Sequence, residues 1–226
     1  MLVSAIFISL LLIATLSLPY SDYSHISAST NNDNEDFEDQ NLIQICCAWG
    51  EELQDGILTY KIDDDDISKD QKAVVQDSIE EWDAKINLLE LEEIPDKKNS
   101  DITIEFEDDD DSKDEEDDIA GETMKTFYGD GFIGKVEITI NKNVQDYEFD
   151  TKTIGQIAKH EMGHALGLGH ANFDANLMTE KVNDGTAFVS ECEIKAVIEA
   201  NYWKLGQIEE DANLTPHYPE NSMACD

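Results

Sequence analysis

The stretch His160-Glu161-Met162-Gly163-His164-Ala165-Leu166-Gly167-Leu168-Gly169-His170 constrains this chain more than any other part of it. Residues four apart on a helix share a face, so on a helix His160 and His164 can present two imidazoles to one metal ion. Gly167 can take the left-handed conformation that ends a helix, and the turn it allows brings His170 back as a third ligand. Three nitrogens leave a fourth position for water, the open arrangement of a catalytic rather than a structural zinc site. Glu161, next to the first ligand, is placed to take a proton from that water. The chain holds 5 histidines, and three of them fall on this pattern together with its Glu and Gly. An unrelated core or surface cluster does not account for that spacing.

The surrounding sequence supplies elements that can hold such a helix. Ile57 to Ile62 has strand composition and is stopped by Asp63 to Asp66. Val74, Val75, Ile79, Trp82 and Ile86 recur at helical spacing, with Ser68 ahead of them as a cap. Asp101 to Phe106 alternates as a second strand, and Lys135 to Ile140 as a third, with Gly121 to Gly134 a turn-rich connector before it. Helical periodicity returns over Thr153 to Leu168, and again from Ser190 to Leu205 through Ile194, Val197, Ile198 and Tyr202. Trp49, Trp82 and Trp203 read as packing residues. This order of elements indicates an α/β or α+β domain without internal repeats.

Four segments follow. Residues 1–28 form a signal peptide or N-terminal anchor, because Leu2 to Leu18 is apolar apart from Ser4, Ser9, Thr15 and Ser17 and ends at Pro19. Residues 29–56 read as an acidic flexible linker, 57–205 as the folded domain and 206–226 as a tail. The chain is thus expected outside the cell, or on the outer face of the membrane if the anchor is retained.

Charge narrows the partners. There are 15 basic and 52 acidic side chains, so 15 − 52 = −37, which excludes nucleic acid and anionic membrane surfaces. No arginine is present, so bidentate phosphate clamps are absent too. Glu107 to Asp118 contains ten acidic residues in twelve and reads as a solvated loop; Ca2+ capture is the competing reading, without a D-x-[DN]-x-[DN]-G pattern to shape it. Four cysteines follow the apolar segment, and since neighbours seldom pair, bridges from Cys46 and Cys47 to Cys192 and Cys225 are expected, with free thiols the alternative. Asn213-Leu214-Thr215 is a glycosylation sequon. Nothing in the sequence speaks to oligomeric state.

The pattern H-E-x-x-H-x-x-G-x-x-H resembles the zinc signature of the metzincins, and His160 to His170 matches it throughout. Leu177-Met178-Thr179 resembles their methionine turn, and its eight-residue distance from His170 is similar to that of the matrixin branch. Leu58-Thr59-Tyr60, Trp82 and Asp101 to Ile104 are similar to matrixin elements upstream. The resemblance implies an α+β fold: a twisted mixed β-sheet with an active-site helix and a C-terminal helix. It implies a zinc endopeptidase acting on polypeptides, with Glu161 as base, Zn2+ on His160, His164 and His170, and Met178 and Gly167 in support. Lys135 to Ile140 would be the cleft's edge strand, with Val136, Ile138 and Ile140 along the substrate. Ala171 and Thr179-Glu180 depart from the family's Ser after the third His and Tyr-Pro after the Met. His25 and His217 do not provide a second zinc site, and neither Cys46 nor Cys47 has the flanks of an inhibitory cysteine switch. The rival from another class is an acidic calcium-binding adhesion protein with a vestigial zinc site.

Overall fold

Alternating apolar residues build the central strands of the main sheet, and two amphipathic helices pack against that sheet and each other. A computed structural model describes residues 40–63, 65, 67–108, 119–144, 147–181, 188–206 and 215–225. In chain order the elements are β1 (Leu42–Ile45), a 3-10 turn (Glu51–Leu53), β2 (Ile57–Ile62), α1 (Lys69–Lys85), β3 (Glu90–Glu93), β4 (Ile102–Glu107), β5 (Gly121–Phe127) and β6 (Ile133–Asn141). They continue with β7 (Asn143–Val144), β8 (Tyr147–Glu148), α2 (Thr151–Ala165), β9 (Leu168–Ala171), α3 (Glu191–Ala200), α4 (Tyr202–Leu205) and β10 (Ser222–Ala224). The fold is α+β, as the resemblance implies.

The main sheet runs β3-β2-β4-β6-β5; all neighbours are parallel except β5, which is antiparallel to β6. A parallel strand needs a crossover, and α1 provides the one from β2 to β3. Ser68 starts α1 with a capping box: its hydroxyl accepts from Gln71 N, and the Gln71 side chain accepts from Ser68 N. α1 and α2 pack on each other, and α2 lies against β5 and β6. Trp82, fully buried at that junction, donates its indole N–H to Lys159 O at 3.0 Å. A second sheet, β10-β1-β9, is antiparallel throughout. Among the described residues no helix is long and apolar enough to cross a membrane.

Several expectations need correction. The folded unit begins before residue 57: Ile43, Ile45, Trp49 and Leu53 are buried in the core, because β1 pairs with β9 and residues 48–50 bond to the start of β6. The tail contributes β10, which pairs with β1. Gly121 to Gly134 is not merely a connector, since its first half is β5, paired residue by residue with β6. β5 is therefore the edge, and β6 lies inside the sheet with Val136, Ile138 and Ile140 at 1 % exposure or less. Those three side chains form core, not a substrate-facing rim.

The bridges also differ from expectation: Cys46 pairs with Cys47, and Cys192 with Cys225. Register explains why the crossed pairing fails. Cys225 N bonds to Asn41 O, at the opposite end of β1 from Cys46. Five strand residues span ~16 Å, well beyond the ~7 Å Cα separation a disulfide tolerates. The signal or anchor segment, most of the acidic block and the Asn213 sequon lie outside the described residues, as does the calcium reading that depends on that block.

Candidate metal centre

α2 is built to present its histidines. Asp150 caps it, accepting from Thr153 N at 2.8 Å, and Ile154, Ile157, Ala158, Met162 and Ala165 bury one side. His160 and His164 point from a common face, with ring centroids 4.7 Å apart. Past the C-cap Leu166, Gly167 sits at φ +106°, and a Cβ there would fall 2.4 Å from Cys47 O. Both observations call for glycine. The chain then reverses into β9, which carries His170 back to 4.9 Å from His164 and 5.5 Å from His160, centroid to centroid. One ligating atom from each of the three lies within 4.8 Å of the others.

The donor set suits zinc. His160 Nδ1 lies 2.7 Å from Leu177 O, and His164 Nδ1 lies 2.9 Å from Leu168 O. A carbonyl only accepts, so both Nδ1 atoms carry the proton and both Nε2 lone pairs are left for a metal. Burial lowers the pKa of His160 and His170 below the usual 6.5 and that of His164 well below it. Neutral imidazoles are what a metal ion binds.

Met178 packs against Gly163 of α2, fully buried. Gly163 makes that possible: a Cβ on it would come 2.5 Å from Met178 Sδ. The turn carrying Met178 closes on itself, with Met178 N donating to Asn176 Oδ1 at 2.8 Å and the Thr179 hydroxyl donating to Asn176 O at 3.0 Å. Thr179 thus closes the turn without the family's Tyr-Pro. From the other side, buried Glu193 accepts from Leu177 N at 3.2 Å and from Ser190 N at 2.8 Å while capping α3.

Glu161 is 4 % exposed and faces β5. Its Oε2 accepts from Thr123 Oγ1 at 2.7 Å. Burial pushes its carboxyl up to about 7, against the pull of the Thr123 hydroxyl and the Lys125 ammonium, while Glu122 adds to the rise. Burial likewise brings Lys125 down to about 8, partly offset by Glu161. Perturbed groups gathered beside three histidines that can hold a metal make this the chain's candidate functional site.

The sequence-predicted residues His160, Glu161, His164, Gly167, His170 and Met178 come together here, whereas Val136, Ile138 and Ile140 lie on the same sheet face as Thr123 as buried core and not as a rim along a substrate. Sequence reasoning missed Thr123, Lys125, Gly163, Asn176 and Glu193. The run of strand-favouring Thr123, Thr126 and Phe127 is the one signal that marked β5 as more than a connector. The family model described as Matrixin matches residues 48–200. No curated protein matches the chain.

Proposed function

The chain belongs to the matrixin family, and from that premise we propose that it is a zinc-dependent endopeptidase that hydrolyses peptide bonds in extended polypeptides, with Glu161 as general base. The observation that carries this reading is the convergence of three neutral imidazoles with a buried carboxylate one residue from the first of them. His160 and His164, oriented through Nδ1, and His170 would hold the metal. Bound zinc supplies Lewis acidity, bringing the pKa of water near ~7 and polarising a carbonyl.

The chain's own groups then account for the proton transfers. Glu161, with a carboxyl near 7, is matched to accept a proton from water at neutral pH and to return it to the leaving amine. An extended substrate is accommodated along β5, whose far side has no strand partner among the described residues, so backbone groups of the peptide pair with those of Gly121–Phe127. No covalent enzyme intermediate is required. The apolar segment from Leu2 to Leu18 supports export of the chain, which sequencing of the N-terminus of secreted material would test.

The deciding experiment measures metal content and cleavage of an unstructured protein together. About one zinc per chain is expected in the wild type and none in His164→Ala, as a three-ligand site requires. Cleavage should stop with a chelator, and Glu161→Gln should retain zinc while losing at least about 10²-fold in rate. Full activity in Glu161→Gln, or no cleavage by zinc-loaded protein across a broad peptide library, would refute the reading.

A further inference from the structure

The inner face of β5 is shaped around Glu161. Gly121, Thr123 and Lys125 alternate onto that face, opposite Ile140, Ile138 and Val136 of β6, whose buried side chains floor it. Across from them α2 presents Ile157 and, one turn on, Glu161. A Cβ at Gly121 would stand 2.7 Å from both Glu161 Oε1 and Ile157 Cγ2, so glycine leaves the room that the carboxylate occupies. Two residues along, the Thr123 hydroxyl lies 2.7 Å from Glu161 Oε2 and 3.1 Å from Glu161 O. A hydroxyl has one proton to donate, and the carboxylate is both the closer and the stronger acceptor.

From this geometry we infer that Thr123 is a positioning residue for Glu161, with Gly121 providing the space: together they fix the rotation of the carboxylate. Among the described residues, Thr123 gives this carboxylate its one hydrogen bond. The need for it follows from torsional freedom, because the terminal torsion of a glutamate is broad and two-fold, so nothing intrinsic to Glu161 selects one orientation. A base turned away from the reacting water costs rate steeply, since about 1 Å of misplacement is worth roughly 10²-fold. The Thr123 side chain acts through Glu161, while any pairing of substrate with this strand in the scheme above uses backbone groups alone. Its kinetic consequence rests on the endopeptidase reading above, whereas the contact itself does not.

The test uses the full, zinc-loaded chain with Thr123→Val, which keeps the β-branched shape without the hydroxyl, and Thr123→Ser, which keeps the hydroxyl. Thr123→Val should lower kcat by roughly 10- to 100-fold, with KM, zinc content and melting temperature near wild type. Thr123→Ser should recover most of that loss, and Gly121→Ala should lower kcat with zinc retained by crowding the carboxylate. Wild-type kcat in Thr123→Val overturns the inference, as does a Thr123→Ser variant equally slow, or a loss that merely follows loss of zinc. Crystal structures of zinc-loaded wild type and Thr123→Val supply a readout independent of activity. The Glu161 carboxylate should rest on Thr123 in the first and turn away in the second. Should the wild type cleave nothing, the endopeptidase reading fails, and the crystallographic comparison still decides the contact: a Glu161 found away from Thr123 in the wild type overturns it.

Discussion

His160 donates to Leu177 O, and the same peptide unit donates from its other end, Met178 N, to Asn176 Oδ1. Hydrogen bonds in series polarise one another, so Asn176 strengthens the acceptor that orients a metal ligand. Asn176 is 5 % exposed and its own carbonyl closes the turn, so it is held in place to do this. Asn176→Ala should therefore weaken zinc binding by roughly tenfold. Competition with a chromophoric chelator measures it, and unchanged affinity in a folded variant would dismiss the relay. Asn176 reaches Met178 N locally, two residues on, but its bearing on a metal ligand is not legible in the sequence, because only the fold sets His160 against Leu177 O.

At the scale of elements, α2 is held along its length. Trp49 Nε1 donates to Ala165 O at 2.9 Å and Asn201 Nδ2 to Leu166 O at 2.9 Å, so carbonyls that a helix end leaves unpaired find partners. In its middle, Lys159 pairs with Glu81 of α1 at 2.5 Å. Glu81 also accepts from Lys85 at 2.7 Å and from Val189 N at 2.9 Å, joining α1, α2 and the approach to α3. Burial pushes the Glu81 carboxyl up, but the hydrogen bonds from Lys159, Lys85 and Val189 outweigh it and hold the pKa below the ordinary 4.5. A depressed folded-state pKa means stabilisation that is complete above 4.5 and lost as pH falls through the folded value. Urea unfolding of wild type and Glu81→Gln should thus differ most near neutral pH, and the gap should close in acid. A pH-independent gap would show that the charge is not what matters.

The first and last described strands are both tied to the strand that carries His170. β9, which carries His170, pairs with β1, and β1 pairs with β10, which the Cys192–Cys225 bridge joins to α3. A chain cut to residues 57–205, the boundaries that the sequence suggests, lacks Ile43, Ile45 and Trp49, all buried. Burial of three such side chains is worth on the order of 5 to 9 kcal/mol, comparable with the ~5 to 15 kcal/mol stability of a whole domain. The short form should fail to fold or to bind zinc, while residues 40–225 do both, as circular dichroism and zinc analysis would report. Net charge acts at this scale too: at −37 the molecule's field favours basic over acidic peptides. Charge-reversed substrates should show a rate ratio above one that shrinks as salt rises from low to about 1 M, where screening acts within ~3 Å. Equal rates at low salt would remove charge from the account of specificity.

Local spacing determined much of this protein. The i, i+4 histidines, the glycine that must adopt positive φ and the returning His170 specify a helix, a turn and a metal-binding triad through rules that act over a few residues. A cap and periodicity likewise mark α1 in the sequence, and periodicity marks α2 and α3. Long-range pairing decided the rest. Ile43 and Ile45 read as linker because four residues carry little period, and only their partners in β9 and β10 make them a strand. The edge of the sheet passed from β6 to β5 for the same reason: strand order is a property of the assembled sheet, and a run such as Gly121 to Phe127 carries no mark of which neighbour it lacks. Cys46 and Cys225 stand apart because register, not composition, sets how far two cysteines lie from each other. Thr123 meets Glu161 across 38 residues of chain, a contact that exists only once the sheet has formed against α2.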